Sequence, residues 1–218
     1  MGRNKLTLVA LLLVWLSASA AAQDSLNCRL VGKYATPGYA YGVFVSGTHA
    51  YVADYYAGLR VVDVSDPAHP FETGHYDTGE GARDVVVSGD YAYVTNGDSG
   101  LRVIDVSDPA HPFESGFCDT IGYAYEVCIL GGHAFVTNGG GGLWVIDVSD
   151  PAHPSVVCHH DTPGSALGIS VSNAYAYVAD GWSAFRIIDV SDPVHPFETG
   201  SYDTPDTVSY THLRAHET

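Results

Sequence analysis

The chain has 218 residues, with 9 Lys+Arg against 25 Asp+Glu and a formal net charge of −16. Such a balance excludes surfaces that track nucleic-acid phosphates or lie on anionic lipid, because both need clustered basic residues. Fifteen tyrosines in a chain of this length tilt the expectation toward recognition.

In chain order, residues 1–22 read as a secretory leader. Arg3 and Lys5 precede the apolar run Leu6–Leu16, and Ala20-Ala21-Ala22 offers a small-residue cleavage site before Gln23. The run is too short to span a bilayer, and no other segment could cross one. Its removal leaves 7 basic against 25 acidic residues, a charge of −18. The expected location is secreted, extracellular or cell-surface, with a periplasmic site also open. Ser25-Leu26-Asn27 lacks the small residue that lipidation of Cys28 would need.

Residues 28–205 are repetitive. Asp-Val-Ser-Asp-Pro-x-His-Pro starts at Asp63, Asp105, Asp147 and Asp189, always 42 residues apart. A constant spacing means that one supersecondary unit is copied and stacked. Arg29–Tyr34 aligns with Phe71–Tyr76, so an outermost strand is expected there before the first full unit. Strands are predicted near 43–46, 50–54, 59–64 and 71–77, and again every 42 residues, with units ending near 77, 119, 161 and 203. The apolar stretches are short and rich in β-branched and aromatic residues, and turn-forming Gly, Pro, Asn and Asp separate them. The fold class is all-β: a β-propeller of four-stranded antiparallel blades. Four units plus one isolated outer strand predict an incomplete ring, with a closed four-bladed ring as the other option. Residues 206–218 break the repeat and read as a non-repeat tail, artefactual or truncated.

The runs Gly58-Leu59-Arg60-Val61-Val62-Asp63-Val64-Ser65-Asp66-Pro67 and Gly100-Leu101-Arg102-Val103-Ile104-Asp105-Val106-Ser107-Asp108-Pro109 resemble LVIVD-type repeats. So do Val-Ser-Gly-Asp-Tyr-Ala-Tyr-Val at 87–94 and Tyr76-Asp77-Thr78. The resemblance implies a surface or secreted propeller of bacterial or archaeal type. It implies no particular activity.

Residues that recur in every unit are expected to be structural, and those that deviate to carry function, because a catalytic or binding constellation is not needed in every blade. His69, His111, His153 and His195 are therefore expected to pack their turns. Asp63 and its copies are expected to bond the following turn from inside the sheet. Neighbours on a strand point to opposite faces, so His159 and His160 in Cys158-His159-His160-Asp161 cannot share an ion. No metal, cofactor or disulfide framework is expected, and no nucleophile elbow, phosphate loop or dinucleotide fingerprint occurs.

Deviant residues cluster in two loop sets that should open on one face. The loops before each first strand contribute Tyr41, Arg83, Asp84, Tyr125 and Glu126. The loops between second and third strands contribute Tyr55, Tyr56, Asp98 and Trp182. Tyr41, Arg83, Tyr125 and Leu167 are expected at one end of the central channel. Tyr, Trp and Arg are the types that anchor interfaces. The expected function is a binding scaffold without intrinsic catalysis, for a protein or glycan ligand. The alternative is a propeller hydrolase or lyase completed by missing C-terminal blades, which should gather Arg83, Asp84 and Glu126 in one cleft.

One covariation stands apart. Arg60, Arg102 and Arg186 share a position whose fourth copy is Trp144, while Glu72, Glu114 and Glu198 share one whose odd copy is Val156. Both charges disappear in the same unit, which predicts an Arg–Glu pair across the third and fourth strands.

Overall fold

The computed structural model describes residues 29–79, 81–182 and 184–203. The leader, Cys28 and the tail lie outside them. The first blade holds β1 (Gly42–Ser46), β2 (His49–Ala53), β3 (Leu59–Asp63) and β4 (Phe71–Tyr76). The second holds β5 (Asp84–Ser88), β6 (Tyr91–Thr95), β7 (Leu101–Asp105) and β8 (Phe113–Cys118). The third holds β9 (Val127–Leu130), β10 (His133–Thr137), β11 (Leu143–Asp147) and β12 (Ser155–His160), and the fourth β13 (Gly168–Ser172), β14 (Tyr175–Ala179), β15 (Phe185–Asp189) and β16 (Phe197–Tyr202). Each set is a separate four-stranded sheet in sequence order, and every pair is antiparallel. No described residue is helical.

Both faces of the second and third blades are apolar because each lies between two others. In the first blade, Phe44, Tyr51, Ala53, Leu59 and Val61 face the second blade's Val85, Ala92, Val94 and Ile104. The same contact recurs from second to third and from third to fourth. Inner strands carry the stacking, β1 on β5, β5 on β9 and β9 on β13. At the end of the series, Tyr177, Phe185 and Ile187 of the fourth blade are only half-buried, whereas Tyr93, Leu101 and Val103 are fully covered.

The recurrent turn is held as a unit. The Asp63 carboxylate accepts the backbone N–H and hydroxyl of Ser65. Asp66 accepts the Ala68 N–H at 3.0 Å and bonds the His69 ring nitrogen at 2.8 Å, and the His–Asp contact recurs at His111, His153 and His195. Contrary to expectation, Asp63 works from the exposed end of its strand, not from inside the sheet. Those bonds hold its carboxyl below the usual range, first through the Ser65 hydroxyl.

Each third–fourth strand pair contains a β-bulge at the same place, between Val61/Val62, Val103/Ile104, Val145/Ile146 and Ile187/Ile188. The extra residue shifts the outer strand and brings Glu72 diagonally toward Arg60. The Arg60–Glu72, Arg102–Glu114 and Arg186–Glu198 pairs close at 3.3, 3.7 and 3.3 Å. In the third blade the substituted Trp144 stacks on His159 instead, centroids 5.3 Å apart. The Arg–Glu pair predicted from the joint loss of both charges is thus present in the three units that keep them.

Arg29–Tyr34 corrects one expectation, since it forms no strand. A strand is defined by pairing, and among the described residues none pairs with this segment. It nevertheless takes the outer strand's place. A Cβ on Gly32 would meet the Pro67 carbonyl at 2.1 Å, just as Gly74 and Gly116 abut the turns at Pro109 and Pro151. The Tyr34 hydroxyl donates to Glu72 at 2.6 Å.

Candidate functional site: a tyrosine cluster at the blade junctions

The two deviant loop sets meet. The β2–β3 loop bridges to the residue before β5 through reciprocal bonds, Tyr55 N–H to the Ala82 carbonyl at 3.0 Å and Ala82 N–H to the Tyr55 carbonyl at 3.1 Å. Gly97 bridges to Ala124 and Gly139 to Ala166 in the same way. This frame requires a left-handed residue at the loop's second position. Three copies supply glycine, Gly97, Gly139 and Gly181, at φ of 54°, 49° and 51°. The first supplies Tyr55, at φ 48°. A side chain there costs ~1–2 kcal/mol relative to glycine, so Tyr55 stands where the other copies carry glycine, as Ala184, at φ 115°, does in the series Gly58, Gly100 and Gly142.

Its neighbours are matched to it. Gly81 lies under the Tyr55 ring, and a Cβ there would sit 2.4 Å from the ring edge. At the next junction the sizes are exchanged, with Gly97 opposite the Tyr123 ring. Tyr55 packs edge-on against Tyr56 at 4.2 Å and Tyr41 at 5.2 Å, and Tyr39 meets Tyr56 at 6.4 Å. A hydrogen bond to Tyr123, then one to Tyr56, pushes the Tyr55 hydroxyl up to about 12. Between these rings lies a groove of about 280 Å3 lined by Tyr55, Tyr56, Gly79, Gly81, Gly97, Asp98 and Tyr123.

Arg83 is the centre of the cluster. Its guanidinium lies 4.9 Å from the Tyr41 centroid, 4.9 Å from Tyr125 and 5.3 Å from Tyr123. One side chain thus gathers rings from the first and third blades over the second. Cation–π contacts of this kind contribute ~0.5–2 kcal/mol each as water is excluded.

Asp84 and Glu126 leave the cluster. Asp84 accepts the Val127 N–H at 3.1 Å, and Glu126 accepts the Ile169 N–H at 2.9 Å, each from the next blade's inner strand. Thr95 and Thr137 add bonds to the carbonyls of Tyr125 and Leu167 at the same junctions. Burial raises the Glu126 carboxyl to about 7 against the opposing Ile169 bond, and the Asp84 charge adds to the rise. Trp182 is 86% exposed and, among the described residues, makes no ring contact with a tyrosine.

Beneath the loops lies a buried polar layer. Asp54 accepts the Thr36 hydroxyl at 2.6 Å and Gly38 N–H at 2.8 Å, and Asp180 accepts Thr162 and Gly164 likewise. Asn96 exchanges two bonds with Thr78. In the third blade Asn138 donates to the Ile121 carbonyl at 2.7 Å, and the Thr120 hydroxyl and Asn138 Oδ1 are left unpaired. Cys118, Cys128 and Cys158 are free thiols. Among the described residues, no group of three or more His, Cys, Asp or Glu side chains could hold a metal ion.

Tyr39 and Tyr123 belong to the cluster although the deviant-loop reasoning singled out only Tyr41 and Tyr125. The signal was present: Tyr39-Ala40-Tyr41 and Tyr123-Ala124-Tyr125 are the same tripeptide one junction apart.

The model of the LVIVD repeat matches residues 37–78, 79–120, 121–162 and 163–204. The chain belongs to the LVIVD repeat family. No curated protein matches it. Among solved structures it is similar to the computationally designed Ika8 protein, at 7% identity and a TM-score of 0.59, over 70% of this chain and 46% of that one. It is also similar to the computationally designed Ika4 protein, at 7% identity and a TM-score of 0.61, over 75% of this chain and 98% of that one. The chain thus spans just under half of the first. At such identities the likeness concerns the fold alone.

Proposed function

We propose that this LVIVD repeat protein is a secreted or surface-displayed binding scaffold without intrinsic catalysis, holding a protein or glycan ligand on its tyrosine-bearing loops. The observation that carries the reading is Tyr55, a large side chain in left-handed backbone where the other three copies have glycine. Strain is retained where something else depends on the residue. Tyrosine suits recognition, since it offers a large, rigid, amphipathic surface at small entropic cost. The hydrolase or lyase reading loses its support because Arg83 is ringed by tyrosines while Asp84 and Glu126 bond backbone amides of the next blade. The test immobilises the chain without its leader and screens extracellular proteins and glycans for binding. Binding that weakens in Tyr55→Gly and in Tyr125→Ala is expected. Ligands bound equally by both variants would overturn the assignment to this face.

A further inference from the structure

The chemistry of the groove narrows what enters it. Its walls are the rings of Tyr55, Tyr56 and Tyr123, and among the described residues Asp98 is the charged side chain that lines it. Gly79, with open space where a Cβ would stand, lets a head group approach the backbone, while Gly81 and Gly97 lie against the rings. Aromatic faces attract cations, and methylated ammonium groups are the cations such cages favour, because their weak hydration makes desolvation cheap. Arg83 already shows the local preference, being held between three tyrosine faces. It stacks on neither Tyr55 nor Tyr56, whose rings meet each other edge-on at 4.2 Å and line the groove. The net charge of −16 concentrates cations near the surface and repels anions.

On this basis, and resting on the reading of these loops as a binding face, we propose that the groove between Tyr55, Tyr56 and Tyr123 takes a quaternary or methylated ammonium group, with Asp98 as its counter-ion. Tyr55 and Tyr56 supply the ring faces on one side and Tyr123 the opposite wall. The strained backbone of Tyr55 is what brings its ring over Gly81.

The test titrates the chain with choline and, in parallel, with its neutral isostere 3,3-dimethylbutan-1-ol and with methyl glucoside, followed by calorimetry and NMR. Choline is expected to bind roughly tenfold more tightly than the isostere, the ratio that one or two cation–π contacts produce. Tyr55→Gly is expected to weaken choline at least about tenfold while leaving the thermal midpoint within a few degrees, since glycine is what the repeat otherwise carries there. Asp98→Asn is expected to weaken choline and leave the isostere unchanged. A peptide bearing trimethyl-lysine separates the sources: tighter binding than choline assigns the group to a protein ligand, and equal binding to a free small cation, and both support the groove. Equal affinity for choline and its isostere, or preference for the glucoside, overturns the ammonium assignment. If no cation binds but a ligand found by screening is lost in Tyr55→Gly, the ammonium proposal falls and the binding face stands. If Tyr55→Gly alters no ligand at all, both fall.

Discussion

Replacing Tyr55 by glycine tests the strain argument directly through stability. Relief of the left-handed backbone returns ~1–2 kcal/mol. Glycine's greater freedom in the unfolded chain costs ~0.5–1 kcal/mol. The lost edge-on contacts with Tyr41 and Tyr56 are worth ~0.5–1.5 kcal/mol each, at the low end here because the rings are partly exposed. The net change is then within ~1 kcal/mol of zero, whereas truncating a fully packed aromatic costs ~3–5 kcal/mol. The reciprocal substitution, Gly97→Ala, adds a Cβ at φ 54° and 3.0 Å from the Tyr123 ring. It should therefore cost ~1–2 kcal/mol. Urea unfolding followed by fluorescence and circular dichroism measures both. A loss above ~3 kcal/mol in Tyr55→Gly would place Tyr55 in the core and remove the reason for assigning it a role in binding.

Three further outcomes are expected. A double-mutant cycle on Arg102 and Glu114 should give a coupling of ~0.2–1 kcal/mol, because both side chains are partly solvated; Trp144→Arg alone should cost more than Trp144→Arg with Val156→Glu, since the second change supplies the missing carboxylate. Glu126 carries a folded pKa raised to about 7, mainly by burial, so its contribution is fully favourable below the unfolded value near 4.5 and is lost as pH rises toward 7. Glu126→Gln should abolish that component, on the order of 3 kcal/mol, and the difference between the two pH–stability curves measures it. Asp180→Ala removes the acceptor for Thr162, Gly164 and Arg186 from a fully buried site and should cost ~3 kcal/mol in chemical unfolding.

The blades were legible because two periodicities agree. Alternation within each strand and the 42-residue spacing between units leave little freedom, and the strand positions follow to within a residue or so at most ends. The Arg–Glu pair was legible from a single departing unit, because an unmatched, partly buried charge is costly enough to be lost with its partner. The bulge that brings the pair together was not. One extra residue in the outer strand leaves no mark when it recurs in every copy. Arg29–Tyr34 was misread for a related reason: sequence identifies a segment that would pair, but pairing also needs a neighbour.

Asp84 and Glu126 show how deviance can mislead. Both were singled out as ligand candidates because their copies are Gly42 and Gly168. The position eleven residues on varies in step: Ala53 and Ala179 follow the glycines, while Thr95 and Thr137 follow the acids. Where acid and threonine occur together, both side chains bond backbone groups of the next blade. A Cβ on Gly42 would instead meet an Asp84 carboxylate oxygen at 2.8 Å, so the glycine leaves room for its neighbour's acid. Correlated deviation between two strands of one blade is thus the mark of a junction, and these carboxylates have backbone partners. Tyr55 has no such correlate within its own blade. Its match is Gly81 across the junction, which makes space for the ring without binding it. A residue whose strain is accommodated and whose hydroxyl meets other tyrosines of the cluster is the better candidate for contact with a ligand.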